Sequence, residues 1–237
     1  VNAARGVATQ VDAALKQFVN NFTTAVNPQI TKSYAQGDLE SMHKLVCRSA
    51  KFSAFLMMFF AVPIILETDT ILTIVLKNPP AYASVFLKWI IISSFMDTVL
   101  ANSLVTSMFA TGNIKRYQII VTTVGCLVFP LSWLAFQLGF EPQVGYILYF
   151  IIYSILLFIR LYLLRDMVKL PIMMYVREVL FKVLPTMAIC FTIPSLLLFS
   201  MGEGVVRLIL IVVLSTIVSS FTIYHIGLNE GEKKYLI

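Results

Sequence analysis

The chain has 237 residues, 59% of them hydrophobic and 13% charged, with a mean hydropathy of +0.86 and a formal net charge of +6. Ordinary globular domains carry roughly 25% charged residues, and eighteen Lys and Arg with twelve Asp and Glu are too few to coat a water-facing surface here. Such a composition excludes a soluble enzyme, a disordered regulator and a nucleic-acid-binding domain, and implies an all-α polytopic bundle of transmembrane helices.

A membrane-spanning helix needs about 20 mostly apolar residues, because hydrocarbon offers no partner for an unpaired backbone amide. By this measure the chain is a single transmembrane domain over 1–237 with about seven spans. They are expected near 2–34, 44–66, 85–111, 116–139, 142–165, 182–202 and 205–227. The first is the most polar, carrying Arg5, Asp12 and Lys16. Turn chemistry separates the spans at Asn78-Pro79-Pro80, Gly112-Asn113, Gly139 to Pro142 and Gly202 to Gly204. Pro28, Pro130, Pro185 and Pro194 fall inside apolar runs and are expected to kink their helices. Between the fifth and sixth spans, residues 167–181 place Met and Val at helical spacing opposite Lys169 and Arg177, the pattern of an amphipathic helix lying at the membrane interface. The chain opens at Val1, and the expectation is that it is part of a longer polypeptide.

The basic residues alternate with the connections. Lys32, Lys44, Arg48 and Lys51, then Lys115 and Arg116, then Arg160, Arg165, Lys169, Arg177 and Lys182, and finally Lys233 and Lys234 all fall on one side. The other side holds Lys77 and Arg207, with Lys88 at a border, and is richer in Glu67, Asp69, Glu141 and Glu203. The positive-inside rule then puts the C-terminus in the cytoplasm. Cys47, Cys126 and Cys190 are widely spaced and read as small buried hydrophobes.

The first span is the informative one. At 100° per residue, Asn2, Arg5, Thr9, Asp12, Lys16, Asn20, Thr23 and Asn27 fall within an arc of roughly 80° along about seven turns, flanked by Gln17 and Thr24. A charged side chain at the bilayer centre costs about 2.5–3.5 kcal/mol on the lenient scale, so this stripe is expected to face a water-filled cavity. The alternative is polar packing between helices, with Asp12 and Lys16 neutralising each other as an i,i+4 pair. Asp97 is the second intramembrane charge. It can titrate, bind a cation, pair with Arg5 or Lys16, or serve as a structural hydrogen-bonded carboxylate. No P-loop, HExxH, paired Cys or His ligands or Ser/His/Asp set appears, and the expectation is a protein that is not an enzyme, with no metal and no cofactor.

Several of these segments carry a resemblance. Asn2-Ala3-Ala4-Arg5-Gly6-Val7-Ala8, Phe18-Val19-Asn20-Asn21-Phe22 and the run from Asn27-Pro28-Gln29-Ile30 through Lys32-Ser33-Tyr34-Ala35-Gln36-Gly37-Asp38 resemble bacterial polysaccharide flippases. These are the O-antigen and capsule repeat-unit exporters of the MATE-like MOP transporter superfamily. Gly227-Leu228-Asn229 is similar to that family's last-helix exit. The resemblance implies the C-terminal lobe of a fourteen-helix transporter plus two extra helices, with an N-terminal lobe supplied by the same polypeptide. It also implies a bacterial inner-membrane location, an undecaprenyl-pyrophosphate-linked oligosaccharide as substrate, membrane lipids as surroundings, and the polysaccharide polymerase machinery as a neighbour. Carried onto this sequence, Arg5 and Lys16 are the cations for the pyrophosphate, and Asn20 and Asn27 are hydrogen-bonding residues. Thr9 and Gln17 complete the substrate-binding set, and Asp12 and Asp97 are the ion-coupling candidates. A MATE-type multidrug/cation antiporter is the alternative function on the same fold.

Overall fold

The computed structural model describes residues 1–233; Lys234, counted above among the basic tail residues, lies outside them. The described residues form helices and turns, with no strand. The helices are α1 (Asn2–Ala35), α2 (Leu39–Leu66), α3 (Thr68–Leu76), α4 (Ala83–Ala110), α5 (Lys115–Gln137), α6 (Val144–Val168), α7 (Ile172–Ser200), α8 (Val205–Gly227) and the short α9 (Glu230–Lys233). Six of them, α2 and α4 to α8, are long and apolar enough to cross a membrane. The chain is therefore a multi-pass helical membrane protein. α1, the first of the seven expected spans, is long enough at 34 residues but too polar to join the six by composition.

Helix α2 is the axis of the bundle, 61% buried along its most apolar window against 6% for α5. On one side it packs against α1 and α4, and on the other against α7 and α8, while α5 lies along α6 at the outer edge. The helix junctions follow local chemistry. α1 ends on the turn Gln36-Gly37-Asp38, where Gly37 takes a left-handed φ of 76° and the Asp38 amide bonds back to the Ser33 carbonyl. Asp38 then caps α2, accepting from the Ser41 amide at 3.0 Å, and this bond holds its carboxyl below the usual carboxylate range. The motif from Tyr34 to Asp38 is thus a tight helix–helix corner. In α5 the helix is interrupted at Leu127, three residues before Pro130, whose ring displaces the Cys126 carbonyl from its helical bond. Pro28, Pro185 and Pro194 lie inside helices that run on through them.

Two sequence expectations are corrected here. Residues 167–181 do not form a separate helix: Met167 and Val168 finish α6, Lys169 (left-handed, φ 57°) and Pro171 make the break, and Ile172 begins a helix continuous to Ser200. Its path is carried past Val176–Leu180 by a π-turn, which lets one helix change its buried face without stopping. Arg160, read above as a charge in a connection, sits inside α6 and is 94% buried, exposing only 6%.

Two buried ion pairs lock opposite ends of the bundle. At one end Lys51 of α2 meets Glu232 of α9 at 2.6 Å, with both side chains almost wholly buried. Asn229 ties the same end together, accepting from Lys182 at 2.6 Å and donating to Glu178 at 2.7 Å. At the other end Arg207 of α8 grips Glu67, beyond the end of α2, through Nε at 2.6 Å and Nη2 at 3.1 Å. Truncating one partner of such a pair leaves a bare buried charge, which is why each pair fixes the geometry of its end.

Candidate functional site: a cationic cavity on the first helix

In α1 the buried face is Ala4, Ala8, Asp12, Leu15, Val19, Thr23 and Ile30, residues three, four or seven apart that press small and branched side chains against α2 and α4. The polar stripe runs along the margin of this face. Asp12 and Thr23 are buried, Lys16 and Asn27 are half-buried, and Arg5, Thr9 and Asn20 are exposed. Beside the N-terminal half of the stripe lies a cavity of roughly 640 Å³, bounded by α1, α4, α5 and α6 and set toward the Glu67–Arg207 end of the bundle.

Each wall contributes a different chemistry. α1 supplies Arg5, Thr9 and Lys16. α4 supplies Phe86 and the hydroxyls of Ser93 and Ser94. α6 supplies Tyr146, Tyr149 and Tyr153, three and four residues apart and therefore on one face of the helix. α5 closes the far side with Cys126, Phe129, Ser132 and Phe136, of which Phe129 is 80% exposed. Cys126 is therefore not the buried hydrophobe expected from the sequence: it is exposed, because α5 touches the bundle chiefly along α6, whereas Cys47 and Cys190 are buried.

The charges at this site are not equal. Asp12 is pulled into the α1–α4 interface, where Lys16 Nζ lies 2.8 Å from Oδ2 and Ser94 donates to Oδ1 at 2.5 Å. The carboxylate is fully engaged, and Lys16 spends its charge on it. Arg5 lines the cavity with no acidic partner among the described residues. Asp97 sits on a π-helical turn of α4, Phe95–Val99, which turns its side chain toward α6. There Tyr149 donates to Oδ2 at 2.7 Å, and Arg160 Nη2 stands 3.8 Å from Oδ1. Arg160, not Arg5 or Lys16, is the base beside Asp97. Its Nε and Nη1 have no hydrogen-bond partner among the described residues.

The structure thus brings Arg5, Thr9 and Lys16 to the cavity, puts Asp12 one contact behind it and Asp97 one contact behind Tyr149. It does not bring Gln17, Asn20 or Asn27 there. Gln17 faces outward and donates to Asn21 at 3.2 Å, Asn20 lies a turn beyond the cavity, and the Asn27 side-chain oxygen is buried further along without a partner. The Thr9 hydroxyl is turned back on its own helix, 2.9 Å from the carbonyls of Arg5 and Gly6. Sequence reasoning missed the tyrosines of α6. Their spacing of three and four was the available signal, hidden inside a run apolar on every side. Comparison with protein-family models, with curated proteins and with solved structures finds no match.

Proposed function

We propose that this chain is the C-terminal lobe of a lipid-linked oligosaccharide flippase, moving an undecaprenyl-pyrophosphate-linked repeat unit across the bacterial inner membrane by alternating access, driven by a cation gradient. The observation that carries this reading is the charge balance of the cavity. Both acids near it, Asp12 and Asp97, have a base beside them, and Arg5 remains as an uncompensated cation on the wall. An anionic head group is drawn to that cation, whereas a cationic drug would be repelled. The positive-inside pattern supports a cytoplasmic C-terminus, and in that orientation the cavity lies in the outer half of the bundle. α1 supplies the wet wall, and the apolar lip of α5 supplies a surface along which a prenyl tail can remain in lipid. Movement of the lobe exchanges the side from which Arg5 is reached, and no covalent chemistry is needed.

The test is complementation by the complete reading frame in a host that lacks its own repeat-unit flippase and carries the matching glycan pathway. Wild type should restore surface polysaccharide, and Arg5→Ala should abolish the restoration at equal protein level. Failure of well-expressed wild type would instead favour the multidrug/cation antiporter. Restoration that survives Arg5→Ala would keep the function and remove the site.

A further inference from the structure

We infer that Tyr146, Tyr149 and Tyr153 form a saccharide subsite facing the Arg5 wall of the cavity, so that one cavity divides its ligand into sugar and phosphate. This rests on the flippase reading and assigns the sugar-binding side of it to α6.

Three observations point the same way. The tyrosines share one face of α6: Tyr149 and Tyr153 stack with centroids 4.1 Å apart and planes 21° from parallel, and Tyr146 lies one turn before them, backed by Phe86 at 4.9 Å. All three rings are half-buried and open on the cavity. The Tyr149 phenol is held by Asp97, which fixes its ring on the wall, whereas bulk alone at Tyr146 and Tyr153 would be supplied by Leu or Phe without a phenol to hydrate. Secondly, the neighbouring positions on the cavity wall, Ser93 of α4 and Ser132 of α5, are small and uncharged. Thirdly, the cations that line the cavity stand on α1, while the charges on the aromatic side, Asp97 and Arg160, lie behind the tyrosines and not on the wall.

A pyranose ring matches this wall. Its axial C–H bonds form an apolar face that packs on an aromatic ring, while its hydroxyls project at the rim, where the phenols of Tyr146 and Tyr153 can meet them. Stacking reads the ring face and not the pattern of hydroxyls, so a single N-acetylhexosamine is a sufficient probe.

The experiment uses the full-length protein in nanodiscs and two probes, farnesyl pyrophosphate and farnesyl-pyrophosphoryl-N-acetylglucosamine, with affinities measured by calorimetry. Wild type is expected to bind the sugar-bearing probe about tenfold tighter, which corresponds to about 1.4 kcal/mol. Tyr146→Ala and Tyr153→Ala should each lose most of that gain while still binding farnesyl pyrophosphate. Tyr146→Phe should keep it, and Arg5→Ala should weaken both probes alike. Equal affinities in wild type, or a gain that survives both alanine variants, would overturn the tyrosine subsite and leave the phosphate reading at Arg5 intact. Should the alanine variants lose both probes through misfolding, Tyr146→Leu, which keeps bulk against Phe86, decides: a retained gain overturns the proposal, and its loss supports it. Binding of neither probe by wild type would overturn the subsite together with the function it rests on.

Discussion

Helices α1 and α8 are both long, both lie at the surface of the bundle, and are built in opposite senses. The outward residues of α8 include Val206, Ile209, Val213, Ile217 and Phe221, while its buried face is Arg207, Ile211, Ser215, Ser219 and Thr222. It is apolar outside and small or polar inside, as expected of a helix that meets lipid and packs closely on neighbours through small residues. α1 reverses this. Its outward residues include Ala3, Gly6, Gln10, Ala13, Gln17, Asn21 and Thr24, and its buried face is mostly aliphatic. Hydrocarbon tolerates the first surface and not the second. The difference teaches that exposure alone does not identify what covers a membrane helix; the chemistry of the exposed face does. α1 is made to meet water or protein.

The largest expected effect concerns the polar inner face of α8. Arg207→Ala would leave Glu67 buried without its base, and such truncations cost about 3–5 kcal/mol. Thermal unfolding of the reconstituted protein should drop accordingly, and the double variant Glu67→Gln with Arg207→Met should recover most of the loss. No loss in the single variant would show that this end of α8 is not held by the pair.

Charge scanning addresses the outer faces directly. Ile217→Lys, at the middle of α8, should cost about 2.5–3.5 kcal/mol of membrane insertion, while Ala13→Lys on α1 should be nearly neutral, as read by the yield of correctly inserted protein. Equal penalties would erase the distinction between the helices.

A smaller effect is expected where α8 ends. A Cβ on Gly227 would approach the Phe55 ring to 2.5 Å, so the last helix can reach α2 only because residue 227 lacks a side chain. Gly227→Ala should destabilise by about 1–3 kcal/mol, the usual cost of overpacking. Phe55→Leu in the same chain should relieve part of it.

The gentlest probe is pH. Burial by itself raises the Glu67 carboxyl, but hydrogen bonds from Arg207 and Thr70 outweigh it and hold the group below its ordinary 4.5. Its contribution is therefore fully present above about 4.5, the unfolded value, and is lost as pH falls through the lower folded value. Melting of wild type should decline over that acid range. The decline should be smaller in the double variant, which has no carboxylate at position 67.

Much of the bundle was readable from hydropathy, because an apolar run of spanning length has few other structures open to it. The stripe on α1 was readable for the same kind of reason: Arg5, Thr9 and Lys16 share an arc, and an arc is a local property. What stayed hidden was tertiary. Arg160 resembled a loop charge because Arg165 follows it closely, and only the turn of α4 that carries Asp97 explains why α6 runs on past it. Tyr146, Tyr149 and Tyr153 sit in a helix apolar all round, where periodicity distinguishes no face. Glu67 and Arg207 are 140 residues apart, and neither announces the other. The continuity of α7 was masked by Lys182 and Pro185, which read as an entry into the membrane and not as the middle of a helix.

The central claim is that water reaches the α1 wall of the cavity, and thiol labelling tests it most directly. Cys126 lines that cavity, and Cys47 and Cys190 are buried. In native membranes, a charged, membrane-impermeant methanethiosulfonate should label Cys126. It should also label Thr9→Cys in a chain freed of native cysteines, and leave Ile217→Cys, on the outward face of α8 at mid-helix, unlabelled. Silence at Cys126 and Thr9→Cys, or equal labelling at Ile217→Cys, would contradict a water-filled cavity beside α1.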